Sequence, residues 1–76
     1  MTQTLARYAS GQLRSELARR LMPNSQLAAL LGVSEMWVTR RVRNHVELSL
    51  EDIESLAQVL DVPTSYFTER PAQVSA

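Results

Sequence analysis

The stretch 26–44, Gln26-Leu27-Ala28-Ala29-Leu30-Leu31-Gly32-Val33-Ser34-Glu35-Met36-Trp37-Val38-Thr39-Arg40-Arg41-Val42-Arg43-Asn44, constrains this chain more than any other. An apolar-striped run meets Gly-Val-Ser, and a second run of helical period follows with arginines along its outward side. Gly32 offers a left-handed stop without a Cβ penalty, and Ser34 is placed to cap what comes next. Ala28 stands four residues before that glycine and Val38 six after it, so small side chains fall where two helices joined by a tight turn must touch. The spacing predicts a second helix pushed out of the protein body. A rod presented that way fits the width of a DNA major groove.

The rest of the chain must supply a body for that rod. Seventy-six residues make one domain, close to the lower size at which a core holds without staples. The chain has no cysteine, so disulfides and thiolate metal sites are excluded, and the single histidine, His45, cannot build a metal site in a monomer. No apolar run approaches the ~20 residues of a membrane span, and the N-terminus has no signal-peptide pattern. A soluble, cytoplasmic domain without cofactor is expected.

The net charge of zero conceals a division. Through His45 there are seven arginines (Arg7, Arg14, Arg19, Arg20, Arg40, Arg41, Arg43) against Glu16 and Glu35, a surplus of five positive charges. From Val46 onward six acids face Arg70 alone, a surplus of five negative charges. Such a split creates an electrostatic footprint on one half, or else complementary surface charges between halves.

Caps and prolines divide the chain into helices. Leu13, Leu17 and Leu21 recur at i, i+4, i+8, and predict a first helix ending at Met22 before Pro23. Residues 3–10 read as helix too, extending the first toward the N-terminus, with a separate turn as the alternative because an interior Gly11 weakens the extension. Asn24 is positioned to cap a second helix to Leu31, with Leu27, Ala28, Leu30 and Leu31 inward. The third runs from its Ser34 cap to about Arg43, with Asn44 as left-handed terminator. Ser49 and Asp52 have capping-box spacing for a fourth helix, whose inner face is Leu50, Ile53, Leu56, Ala57 and Leu60. Leu48 and Ile53 suit a hydrophobic staple across its start. Thr64 can start a short fifth helix through Phe67. The expected architecture is all-α: residues 1–70 as one domain of four to five helices with a helix-turn-helix core at 24–44, and 71–76 as a flexible tail.

Two runs now carry a resemblance. Gly32-Val33-Ser34-x-x-Trp37-Val38-x-Arg40-Arg41, and Leu48-Ser49-Leu50-x-Asp52-Ile53-Glu54-x-Leu56-Ala57-x-x-Leu60-x-Val62-Pro63, are similar to the helix-turn-helix domain of the Cro/phage-repressor (XRE) family, in its actinobacterial and actinophage branch. The likeness covers residues 13–67. It implies a compact Cro/repressor-like domain that binds operator DNA as a homodimer through its third helix, as a repressor, switch protein or antitoxin of the bacterial cytoplasm. Many relatives have glutamine where Asn24 stands, bracing the recognition helix and touching phosphate. Some phage repressors bury an arginine–glutamate pair where Leu17 and Val42 align, and an apolar pair there avoids the desolvation cost of two charges.

Helical phase assigns the faces. With Val38 inward, and roughly 100° per residue, Arg40 points about 160° away, flanked by Met36 and Arg43. Thr39 and Trp37 fall on the shoulders, and Arg41 lies nearer the buried edge. Arg40 is the expected base reader, bidentate to guanine. Met36 suits a thymine methyl, and Thr39 a base edge or a phosphate. Glu35 suits a cytosine amino group or simply the positive helix end. Asn24, Ser25, Gln26 and Ser34 surround helix starts that suit phosphate, and Arg43 is expected on the opposite backbone. Trp37 either touches sugar and phosphate or packs beside the second helix or a partner chain. Arg14, Arg19 and Arg20 are further candidates for phosphates beside the second helix.

One helix in one groove reads few base pairs, so a twofold dimer on half-sites about one turn apart is expected. Tyr66 and Phe67 with the tail, or Leu5 and Tyr8, are candidate dimer surfaces. The alternative is an antitoxin-like or adaptor module binding another protein, marked by an apolar exposed surface around Tyr66, Phe67 and Val74. With one histidine, no cysteine and no glycine-rich phosphate loop, neither an enzyme nor a small-molecule substrate is expected.

Overall fold

A computed structural model describes residues 4–71, as five helices: α1 (Leu5–Arg20), α2 (Asn24–Leu31), α3 (Glu35–Val42), α4 (Leu50–Leu60) and α5 (Ser65–Thr68). α1 packs against α3 and α5, and α2 packs against α3 and α4. The core they share joins Ala9, Leu13 and Leu17 of α1 to Leu27, Ala28, Val38, Leu48, Ile53, Leu56, Ala57, Leu60 and Phe67. The expected tail falls almost wholly outside the described residues, as does Gln3 at the start of the first predicted helix.

α1 is one helix where the glycine suggested a break. Thr4 starts it by accepting from the Arg7 N–H at 3.2 Å, and it runs unbroken through Gly11. An interior glycine costs about 1 kcal/mol, but Ala9 and Leu13 on either side of Gly11 are buried in the core and offset it. The helix stops at Arg20, two residues earlier than predicted. Pro23 disfavours helical backbone at Met22, and Leu21 takes up the left-handed conformation (φ 55°) while the Met22 N–H bonds back to the Leu17 carbonyl. Leu21 is thereby swung out of the core stripe and is 88% exposed.

Three further leucine and cap assignments differ from the sequence reading. Asn24 does not cap α2 but forms its first residue. Pro23 holds the cap position without a side-chain bond, its carbonyl accepting from Gln26 and Leu27. Leu30 is exposed, because α2 buries Leu27 and Ala28 against its neighbours and turns Leu30 away. Leu50, the first residue of α4, is 75% exposed, while Leu48 before the cap is buried in its stead.

Where the signals are local, sequence and structure agree. Gly32 ends α2 at φ 74°, with Val33 bonding back to Ala28 at 3.0 Å. Asn44 ends α3 at φ 60°. Ser49 and Asp52 form a reciprocal capping box, both bonds 3.0 Å. Asp61 turns the chain at φ 56° into α5, which inserts Phe67 into the core.

Candidate nucleic-acid interface

α3 is placed by its two ends. Ser34 caps it, accepting from the Trp37 N–H at 3.1 Å, and the turn after it is closed by the N–H groups of His45 and Val46 on the Arg40 carbonyl. Val38 is fully buried and anchors the rod to the core. The opposite side stands clear: Glu35, Arg40 and Arg43 are exposed, and Met36 is 57% exposed. Ser25, Gln26 and Ser34 are exposed beside it.

The remaining expected site residues are partly engaged within the chain. Asn24 donates from Nδ2 to Thr39 Oγ1 at 3.3 Å, tying the start of α2 to the shoulder of α3. The Gln26 N–H is taken by the Pro23 carbonyl, which leaves the N–H groups of Asn24 and Ser25 as the open donors of that helix end. Trp37 is half-buried against the core, and the Arg41 guanidinium lies over its ring at 3.8 Å.

Arg41 has a role that phase alone did not show. Its Nε donates to Asp52 Oδ2 at 3.1 Å and its Nη1 to the Trp37 carbonyl at 3.2 Å. Asp52 Oδ2 also accepts from the Ser49 N–H, so one oxygen serves the α4 cap and the α3–α4 clamp. The i, i+4 spacing of Trp37 and Arg41 is the trace that half of this arrangement leaves in the sequence. Among the described residues, Arg41 is the one arginine of the basic half that pairs with an acid of the other half. A single ion pair among the described residues therefore offsets the charge division across the fold.

Glu16 is the other unforeseen feature. It is 2% exposed, and its carboxylate accepts from Arg19 and Arg20, while Arg20 also donates to the Leu60 carbonyl. These bonds give Arg19 and Arg20 an intramolecular role. Burial pushes the Glu16 carboxyl up, but Arg20 and Arg19 outweigh it and hold it below the ordinary glutamate range. Burial and the Glu16 carboxylate push the nearby Tyr66 phenol up. An acid between apolar positions one turn before two arginines is the trace it leaves in the sequence. Leu17, the next residue, is apolar and buried as the sequence reading held, with Val42 half-buried against the same core.

The arginines thus fall into two groups. Arg19, Arg20 and Arg41 are paired with carboxylates, whereas Arg7, Arg14, Arg40 and Arg43 form no ion pair among the described residues. The surfaces considered for dimerisation are partly consumed as well. Phe67 is wholly inside, Tyr66 is half-buried with its hydroxyl donating to the Gln12 carbonyl at 3.3 Å, and Tyr8 reaches the Glu69 carbonyl.

Two short helices joined at Gly32, with the second anchored by Val38 and bare on its arginine side, define a helix-turn-helix DNA-binding domain. A family model described as Helix-turn-helix matches residues 13–67, and the chain belongs to that family, which is of the XRE type. No curated protein and no solved structure shows significant similarity to the chain. No helix among the described residues is long and apolar enough to cross a membrane.

Proposed function

We propose that the protein is a sequence-specific transcriptional regulator of the phage-repressor or Cro-like kind, inserting α3 into the major groove of an operator. The observation that carries this reading is Arg40: exposed, opposite the buried Val38, and without a carboxylate partner among the described residues. Arg40 reads guanine O6 and N7, Met36 presses on a thymine methyl, and Thr39, held by Asn24, lies at the groove edge. Ser25, Gln26 and Ser34 with the open N–H groups at the α2 start face phosphates, Arg43 meets the backbone at the far end, Glu35 sits by a cytosine amino group, and Trp37 lines the shoulder. Two copies bind half-sites about one helical turn apart.

The test is selection of bound duplexes from a randomised pool, followed by fluorescence anisotropy on the enriched site. Arg40→Ala is expected to cost about 1–3 kcal/mol and to relax preference at one base position per half-site. An unchanged ratio between enriched and scrambled duplexes overturns the assignment. An adaptor module is less favoured, because Phe67 and much of Tyr66, the surface it requires, are spent on packing against α1. Val74, the third residue of that surface, lies outside the described residues.

A further inference from the structure

Beside the recognition rod, α1 and the turn after α3 enclose a cleft of about 280 Å³ lined by Arg7, Ser10, Arg14, Arg43 and Asn44. Three arginines from two separate elements line this one space, and no acid among the described residues lines it. Like charges gathered at one place repel one another unless something of opposite sign is present. Here the chain supplies no carboxylate to any of the three among its described residues.

The cleft is nonetheless built rather than incidental. Arg14 donates from Nη1 to the Val42 carbonyl at 3.0 Å, and its Nη2 lies 3.8 Å from where a Cβ on Gly11 would stand. Its guanidinium is thus folded back over α1 and pinned to the end of α3, with most of its five N–H donors left over. Buried Ser10 donates to Asn44 Oδ1 at 3.3 Å, fixing the left-handed residue that ends α3 against α1. Arg14 is held by a backbone carbonyl and keeps its charge uncompensated, while the Ser10–Asn44 bond fixes the turn that carries Arg43. That is the arrangement a tetrahedral oxyanion needs.

We infer that this cleft is a phosphate clamp, in which Arg7, Arg14 and Arg43 close on a backbone phosphodiester of the same duplex that α3 enters. The inference rests on the proposed function for the identity of the ligand. Arg14 also lines the surface beside Pro23 and Asn24, so the clamp is continuous with the phosphate-facing start of α2. The footprint therefore extends onto α1, outside the two helices that read the groove. Its contribution is to affinity and salt dependence, and it carries no base preference.

The test uses the full chain with Arg7→Gln and Arg14→Gln, neither of which lies in the helix-turn-helix pair. Circular dichroism establishes that each variant is folded, and exposed Arg7 provides the variant whose folding is least at risk. Anisotropy titrations over a salt series on enriched and scrambled duplexes should show, for each variant, weaker binding and a shallower slope of log K against log salt, the change staying below the roughly 0.9 that one whole phosphate contributes. Both duplexes should weaken by the same factor. Unchanged slope and affinity in both variants, with the wild type binding normally, overturn the clamp and leave the role of α3 standing. A wild type that binds no duplex instead overturns the proposed function. NMR titration of the wild type with the enriched duplex then reads the cleft directly: shifts of the Arg7, Arg14 and Arg43 Nε–H signals support the clamp, and unmoved signals reject it.

Discussion

Asp52→Ala tests how the recognition rod is held. The Asp52 carboxylate accepts from the Ser49 N–H at 3.0 Å and from Arg41 Nε at 3.1 Å through the same oxygen. The side chains of Arg41 and Asp52 are 16% and 18% exposed, so solvent screens the pair only weakly. A charge-assisted bond in such a setting is worth about 1.5 kcal/mol, and loss of the reciprocal cap bond adds about 0.5 kcal/mol. The variant should lose about 2 kcal/mol, against a total of roughly 4–11 kcal/mol for a domain of this length. Tm should fall by about 8–16 °C. Glu51→Ala is the control, an exposed acid in the same first turn that interacts with the helix end alone, at about 0.5 kcal/mol. Thermal unfolding followed by circular dichroism and by fluorescence of Trp37, the sole tryptophan, reports helix content and the clamp separately. A double-mutant cycle with Arg41→Ala should return a coupling near 1 kcal/mol or above. If Asp52→Ala melts within 3 °C of Glu51→Ala, or the coupling vanishes, the clamp does not hold α3 to α4.

The remaining predictions concern other positions. The Glu16 carboxyl is held below its ordinary value in the folded state, so its stabilisation is present above pH about 4.5 and is lost as pH falls through the folded value. The stability gap between wild type and Glu16→Gln should accordingly narrow on acidification from pH 6 to 3, and a gap constant over that range in urea titrations would contradict the buried ion cluster. The two glycines should respond with opposite signs. Gly32→Ala should destabilise by about 1 kcal/mol, since nothing crowds its Cβ but its φ of 74° is left-handed. Gly11→Ala should stabilise by about 0.5–1 kcal/mol in the helix interior, and equal shifts in urea midpoint for both variants would refute that backbone account.

The exposed side of α3 shows how far periodicity carries an argument. Choosing Val38 as the inward direction placed Arg40 opposite it and Trp37 and Thr39 on the flanks, and their burial follows that order. The same reasoning failed at helix ends. Leu21, Leu30 and Leu50 each sit on an apolar stripe, yet all three are exposed. A stripe says which side of a helix is apolar, but its outermost members are covered only if a neighbour extends that far. The bonding of Arg20 to both buried Glu16 and the Leu60 carbonyl depends on α1 meeting the end of α4, a contact spanning forty residues.

The sequence alone determined where helices begin and end at Ser34, Gly32, Asn44, Ser49 and Asp52, because a cap is a bargain among residues three or four apart. It also determined which side of α3 is cationic, through the 3.6-residue period. Tertiary structure alone decided which arginines remain uncommitted. Arg19, Arg20 and Arg41 are claimed by carboxylates, while Arg7, Arg14 and Arg43 converge on one cleft. Electrostatic pairing depends on distance through space, and in a packed bundle that distance bears little relation to separation along the chain.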